Sequence, residues 1–309
     1  MDELRPEITE RAMRLGSDES LAAIVARPVV ETGLPAVVIL NTGVAHRVGH
    51  HRKFVALSRR LARSGHTVVR FDFPGLGDSS DITGDGALLD ANLAAIRDVV
   101  DWVERTFAIR RFVMVGLCSG ADQSIIYASK DKRVTGAVLL DPSVPRTRRY
   151  YMIDLYRRII SRSIWINFLS GRGFFWTRMR RLTGKGEMTA VKRGQFSRPN
   201  LESPEAIAFL EGVYQGAIDN DARLLAVFTA GPDYQHNYRE QILEALPKVR
   251  FGKRISLHFL KDCDHTFMRE SKREYLYALI ADWLQSQFPG REPAAPAPGP
   301  ESTMESVEF

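Results

Sequence analysis

The chain has 309 residues, 44% of them apolar and 26% charged, close to globular averages, which excludes a fibrous or wholly disordered protein. No apolar run approaches the roughly 18 residues of a membrane-spanning helix, no secretory signal is expected at the start, and two cysteines, Cys118 and Cys263, exclude a disulfide scaffold and suit a reducing, cytoplasmic setting. The net charge of +6 is unevenly placed: residues 145–198 hold 14 Lys or Arg against two acids, a local +12, while all other residues hold 29 bases and 35 acids, −6.

In chain order, residues 7–28 predict two strands that turn at Gly16-Ser17-Asp18. Ala36–Leu40, Thr67–Phe71, Phe112–Val115, Ala137–Leu140, Leu224–Phe228 and Ile255–Phe259 follow as short, continuous, β-branched runs. Such runs suit strands buried on both faces of a parallel sheet. Between them lie helical stripes: Phe54, Val55, Leu57 and Leu61; then Leu93, Ile96, Val99, Val100 and Val103; then Tyr275, Leu276, Leu279, Ile280 and Trp283. Strands alternating with helices predict an α/β fold with a mostly parallel central sheet flanked by helices. About 80 residues separate the strand ending at Leu140 from the one starting at Leu224, too many for an ordinary crossover. The organisation expected is a first core segment over 1–144, a helical basic and aromatic lid over 145–220, a second core segment over 221–288, and a disordered Pro-rich tail over 289–309.

The strongest local signal is Gly116-Leu117-Cys118-Ser119-Gly120, directly after a predicted strand and before a predicted helix. This is the nucleophile-elbow pattern G-x-S-x-G with cysteine in place of serine. The nucleophile sits on a sharp turn, so its neighbours two residues away on each side must be small. Gly116 and Gly120 meet that need around Cys118. Moving the register to Ser119 would put Leu117 at one of those places, so Cys118 is the expected nucleophile. The partners should follow in the order acid, then histidine. Asp233 stands in the loop after Leu224–Phe228, and His265 in the loop after Ile255–Phe259. Asp141, also at a strand end, is an alternative acid, although Asp-Pro-Ser is an ordinary turn as well. His66 and His258 read as structural, Asp264 as too close to His265 to orient its ring, and Cys263 as a packed thiol.

Over roughly residues 7–288 the chain resembles the α/β-hydrolase superfamily. Three stretches, Asn41-Thr42-Gly43-Val44-Ala45-His46-Arg47-Val48-Gly49, Arg70-Phe71-Asp72-Phe73-Pro74-Gly75-Leu76-Gly77-Asp78-Ser79 and Gly116-Leu117-Cys118, resemble the bacterial hydrolases associated with exosortase systems, which also place cysteine at the elbow. The resemblance implies an oxyanion hole made by the backbone N–H groups of Val44 and Ser119. A departure is Thr42, which stands where the superfamily's loop has a histidine.

These residues predict a Cys118–His265–Asp233 triad that forms a thioester acyl-enzyme. A thiolate at a helix N-terminus beside an imidazolium is stabilised by dipole and charge. An acyl-cysteine is itself a thioester, so acyl transfer or cleavage of acyl thioesters or activated esters is the expected activity. The alternatives are a small-molecule carboxylesterase or amide hydrolase, and a non-catalytic ligand-binding member of the fold. No cofactor or metal is expected. The arginines of the lid, interleaved with Tyr150, Tyr151, Tyr156, Trp165, Phe168, Phe174, Phe175 and Trp176, suit an acidic acyl carrier protein, a CoA phosphate or an anionic membrane surface, with solvated arginines as the plain alternative. Nucleic acid is not expected, because no binding motif accompanies the charge.

Overall fold

The computed structural model describes residues 8–16, 18–82, 87–160, 200–230 and 236–290. Eight strands form one sheet in the order β1-β2-β4-β3-β5-β6-β7-β8. The strands are β1 (Ile8–Leu15), β2 (Leu21–Pro28), β3 (Ala36–Ile39), β4 (Val68–Phe71), β5 (Phe112–Leu117), β6 (Val134–Leu140), β7 (Arg223–Thr229) and β8 (Ile255–Leu260). β1 and β2 form the expected antiparallel pair, and β2 runs antiparallel to β4. Every pairing from β4 through β8 is parallel. The helices are α1 (Lys53–Arg63), α2 (Leu88–Phe107), α3 (Ser119–Ala128), α4 (Arg148–Ile160), α5 (Pro204–Asp219), α6 (Gln241–Ala245) and α7 (Glu270–Gln287).

The continuous apolar runs have a simple cause: the central strands are covered on both faces. In β3, Val37 and Ile39 join one cluster with Phe54, Leu57 and Leu61 of α1 and Leu276, Ile280 and Trp283 of α7. Ala36 and Val38 join the opposite cluster with Leu93, Ile96, Val99 and Val103 of α2 and Ile125 of α3. All of these side chains are buried, and a buried Leu, Ile, Val or Phe contributes roughly 1.5–3 kcal/mol by leaving water.

Helix α5 falls inside the range expected for the lid. Its Leu210, Val213, Tyr214 and Ala217 lie in the main core cluster, and its start is capped by the Ser203 hydroxyl, which accepts from the Ala206 N–H at 3.2 Å, with Pro204 in the first turn. The range 145–220 therefore includes a helix of the core layer. Of the expected lid, α4 is described; residues 161–199 lie outside the described residues, as does the tail beyond residue 290.

Candidate active site

Parallel α/β sheets collect functional groups at the carboxyl ends of their strands, and four adjacent strands do so here. β5 ends at Leu117 and α3 begins at Ser119, leaving Cys118 as the whole turn, at φ 56 and ψ −121. A positive φ on a non-glycine residue is strained backbone, held by its surroundings. Those surroundings are close-packed. A Cβ on Gly116 would run into the backbone of Gly120, and one on Gly120 into the carbonyl of Asn41. The two glycines are thus required by the approach of strand, helix and the loop after β3, as the motif predicts.

Asp141 follows directly on β6, also at positive φ, 46°. Its carboxylate is buried and takes three hydrogen bonds. Oδ1 accepts from the Thr229 N–H at 2.6 Å, and Oδ2 accepts from the Thr229 hydroxyl at 2.6 Å and from His265 Nδ1 at 2.8 Å. Thr229 closes β7, whose Val227 pairs with Leu140, so the register itself sets Thr229 beside Asp141. His265 stands in the loop between β8 and α7 and is also hydrogen-bonded to the Cys118 side chain. With Nδ1–H on the carboxylate, Nε2 is the nitrogen left for the thiol. Burial disfavours the charged ring, but the bonds to Asp141 and Cys118 outweigh it and hold His265 up to about 9.

The fold brings Cys118 and His265 together. The carboxylate on His265 is Asp141, the alternative strand-end residue; Asp233 lies outside the described residues. The physical reason is that β6 is the strand next to β5 and that Thr229 supplies a built-in anchor for its terminal carboxylate. Asp122, near the start of α3, steadies this end as well, accepting from the Ser143 N–H at 2.7 Å and hydroxyl at 2.6 Å.

The loop after β3 is tied down from both sides. Asn41 donates to the Ala45 carbonyl at 2.9 Å and accepts from the Phe73 N–H at 3.0 Å. Asp72, fully buried, accepts from the Arg47 N–H at 2.6 Å, from the Arg47 guanidinium and from the Asp78 N–H at 3.1 Å. The arginine reaches on to Asp78 at 2.5 Å. Ser119 Oγ accepts from the Gly43 N–H at 2.8 Å, one residue before Val44. The Ser119 hydroxyl is therefore a strap on this loop. Its N–H, in the first turn of α3, belongs to the group that lacks an intrahelical acceptor.

Motif reading missed three residues beside this cluster. Lys53, at the start of α1, is fully buried between the rings of Phe54 and Phe267, its ammonium 5.4 and 5.8 Å from their centroids. Burial pushes it down to about 8, against the opposing pull of Asp141, Asp264 and the two thiols. His236 is buried, tilted by 43° against Phe228 with ring centroids 4.6 Å apart, and its Nδ1 lies 4.0 Å from Asp141 Oδ1; burial pushes it down to about 4. Thr229 carries no catalytic signature in the sequence at all. Of the residues set aside as structural, His66 is buried and its Nδ1 lies 2.8 Å from the Pro35 carbonyl. Cys263 is buried, and burial pushes its thiol up to about 11. Among the described residues, no group of three His, Cys, Asp or Glu is placed to hold a metal ion, and no helix is long and apolar enough to cross a membrane.

Sheet order, elbow and strand-end cluster define a class: the chain has the α/β-hydrolase fold. A family model described as the alpha/beta hydrolase fold matches residues 35–184. No curated protein matches the chain. Among solved structures, the chain is similar to an esterase from Pyrococcus furiosus, at 14% identity and TM-score 0.54 over 91% of this chain and 93% of that one. It is also similar to a putative dienelactone hydrolase from Klebsiella pneumoniae, at 16% and 0.53 over 90% and 98%. A third is an α/β serine hydrolase without lid from Xanthomonas campestris, at 16% and 0.51 over 91% and 93%. At these identities the likeness speaks for the fold.

Proposed function

We propose that the protein is a cysteine-dependent acyl-transfer enzyme, an acyltransferase or thioesterase acting on acyl thioesters or activated esters. The observation that carries this reading is the continuous chain of hydrogen bonds from Cys118 to His265 to Asp141 to Thr229, with the thiol on the strained turn. His265 takes the thiol proton through Nε2. Asp141 holds the ring by Nδ1–H and balances the imidazolium. The thiolate attacks an acyl carbon, and the developing oxyanion is met by the Ser119 N–H and a donor of the loop after β3, expected to be Val44. Each such donor is worth about 3–4 kcal/mol at the transition state. The oxyanion collapses to an acyl-cysteine, the leaving group departs with the proton from His265, and water, an amine or another thiol accepts the acyl group.

The choice of Cys118 over Ser119 is supported twice. Ser119 Oγ is engaged with Gly43, and the other cysteine is buried with a raised thiol, the setting of an inert structural residue. The resemblance to exosortase-system hydrolases points the same way. The esterase and dienelactone hydrolase among the similar structures favour the second reading, a carboxylesterase. Turnover of a matched pair, an acyl thioester and its oxygen ester, with and without an added amine, separates the two. The first reading expects faster release from the thioester and acceleration by the amine. Equal rates on both esters, indifferent to the amine, contradict it.

A further inference from the structure

Helix α4 carries a second feature, independent of the triad. Its inner side is half-buried through Tyr150, Ile153 and Asp154. It is pinned to the body: the Thr147 hydroxyl lies 2.6 Å from the Tyr238 hydroxyl, Asn237 donates to the Tyr150 carbonyl at 2.9 Å, and Arg149 pairs with Glu244 at 2.8 Å. These bonds fix which side of the helix turns outward. On that side lie Tyr151, Met152, Leu155, Tyr156 and Ile160, exposed by 46%, 70%, 58%, 64% and 59%. Their spacing of one and four residues gathers them over about half of the helix circumference. A contiguous apolar stripe of this kind on a protein surface marks an interaction site.

Charge says what covers it. Arg148 is exposed at the N-terminal end of the stripe, and Arg157, whose guanidinium reaches the Asn237 carbonyl at 3.5 Å, is exposed beside it, while Arg149 is engaged with Glu244. The single acid of the helix, Asp154, is on the half-buried side; Glu202, from outside the helix, accepts from the Tyr151 hydroxyl at 2.7 Å. The stripe sets exposed apolar side chains beside exposed arginines, so what covers it must offer an apolar environment together with negative charge. The headgroup region of an anionic bilayer takes both, apolar side chains into the acyl boundary and arginines onto the headgroups. We propose that the outer face of α4 is a docking surface for anionic lipid, laying the helix in the plane of a bilayer interface. The pinning residues connect this face to the active site, since Asn237, bonded to α4, follows His236, which lies 4.0 Å from Asp141.

The experiment is co-sedimentation of the full chain with vesicles of phosphatidylcholine alone or with about a third phosphatidylglycerol, at low salt and at about 0.5 M salt, where charges are screened within a few ångström. The expected result is binding to the anionic vesicles only, weakened by salt. Met152→Asp with Leu155→Asp should weaken it by about tenfold or more, at unchanged thermal midpoint. Leu155→Ser alone, a milder change at an exposed position, should weaken it by a smaller factor and covers the case in which the double variant fails to fold. Turnover of a short soluble substrate should be the same in all variants, which separates a failure of docking from a failure of the triad. The proposal is overturned by absence of vesicle binding, by binding that the α4 variants leave unchanged, or by an acidic carrier protein that binds the same arginines while vesicles do not.

Discussion

At the scale of single residues, the acid carries the sharpest expectation. Asp141→Asn keeps the shape but loses the negative charge that three donors converge on. Removing the orienting carboxylate of a serine triad costs about 10⁴ in rate; a thiol is the better nucleophile, so a loss of about a hundredfold or more is expected in kcat/KM, with the fold retained. Lys53 gives a second test through linkage. Its folded value of about 8 lies below the ordinary 10.5, so below pH 8 folding carries the full cost of burying the charge, and the cost disappears as pH rises from 8 to 10.5. The shift corresponds to about 3 kcal/mol, more than the roughly 0.5–2 kcal/mol that contact with aromatic faces returns. Lys53→Met should raise the thermal midpoint at pH 7 by several degrees and lose that gain by about pH 10; a lower midpoint at pH 7 would contradict this. Cys118 and His265 were legible because each sits in a local pattern, a small-x-Cys-x-small turn and a strand-end loop before a helix. Asp141 was not distinguishable from Asp233, because strand-end acids look alike until the β6–β7 register sets one of them beside Thr229. Lys53 reads as a helix-start surface lysine, and only packing shows it buried.

At the scale of elements, the elbow is a meeting of three backbones, and its glycines answer to space rather than flexibility. Gly120→Ala must push its methyl into the Asn41 carbonyl, and backbone cannot retreat as a flexible side chain does. Overpacking typically costs about 1–3 kcal/mol, and here it also displaces the loop that carries the oxyanion donor. Urea denaturation should show that loss of stability together with a fall in kcat that exceeds it; a variant with unchanged stability would mean that loop and helix are less closely packed. The Asp72–Arg47 pair belongs to the same scale. The Arg-Phe-Asp stretch reads in sequence as a fold marker, yet its carboxylate anchors the loop beside the nucleophile. Strands and helices were legible because two-sided burial writes continuous apolar runs and one-sided burial writes stripes. The boundary of the expected lid was less legible, since the pattern of α5, amphipathic and preceded by a polar stretch, does not say which surface it packs on.

At the scale of the whole molecule, the parallel order β4-β3-β5-β6-β7-β8 brings the ends of β5, β6, β7 and β8 side by side, so that residues 118, 141, 229 and 265 meet although up to 147 positions separate them. The same long separations explain why a motif search finds the site in pieces. Basic charge concentrated within residues 145–198 on an otherwise acidic chain marks the sector that contains α4. The central claim, a thioester on Cys118, is read most directly by the intact mass of the protein after mixing with an acyl thioester, followed by peptide mapping. The wild-type chain should gain one acyl group, labile to hydroxylamine and located on Cys118. Ser119→Ala should still gain it, more slowly if the strap to Gly43 matters, and Cys118→Ala should not. An adduct that persists in Cys118→Ala, or that maps to Ser119, would contradict the account.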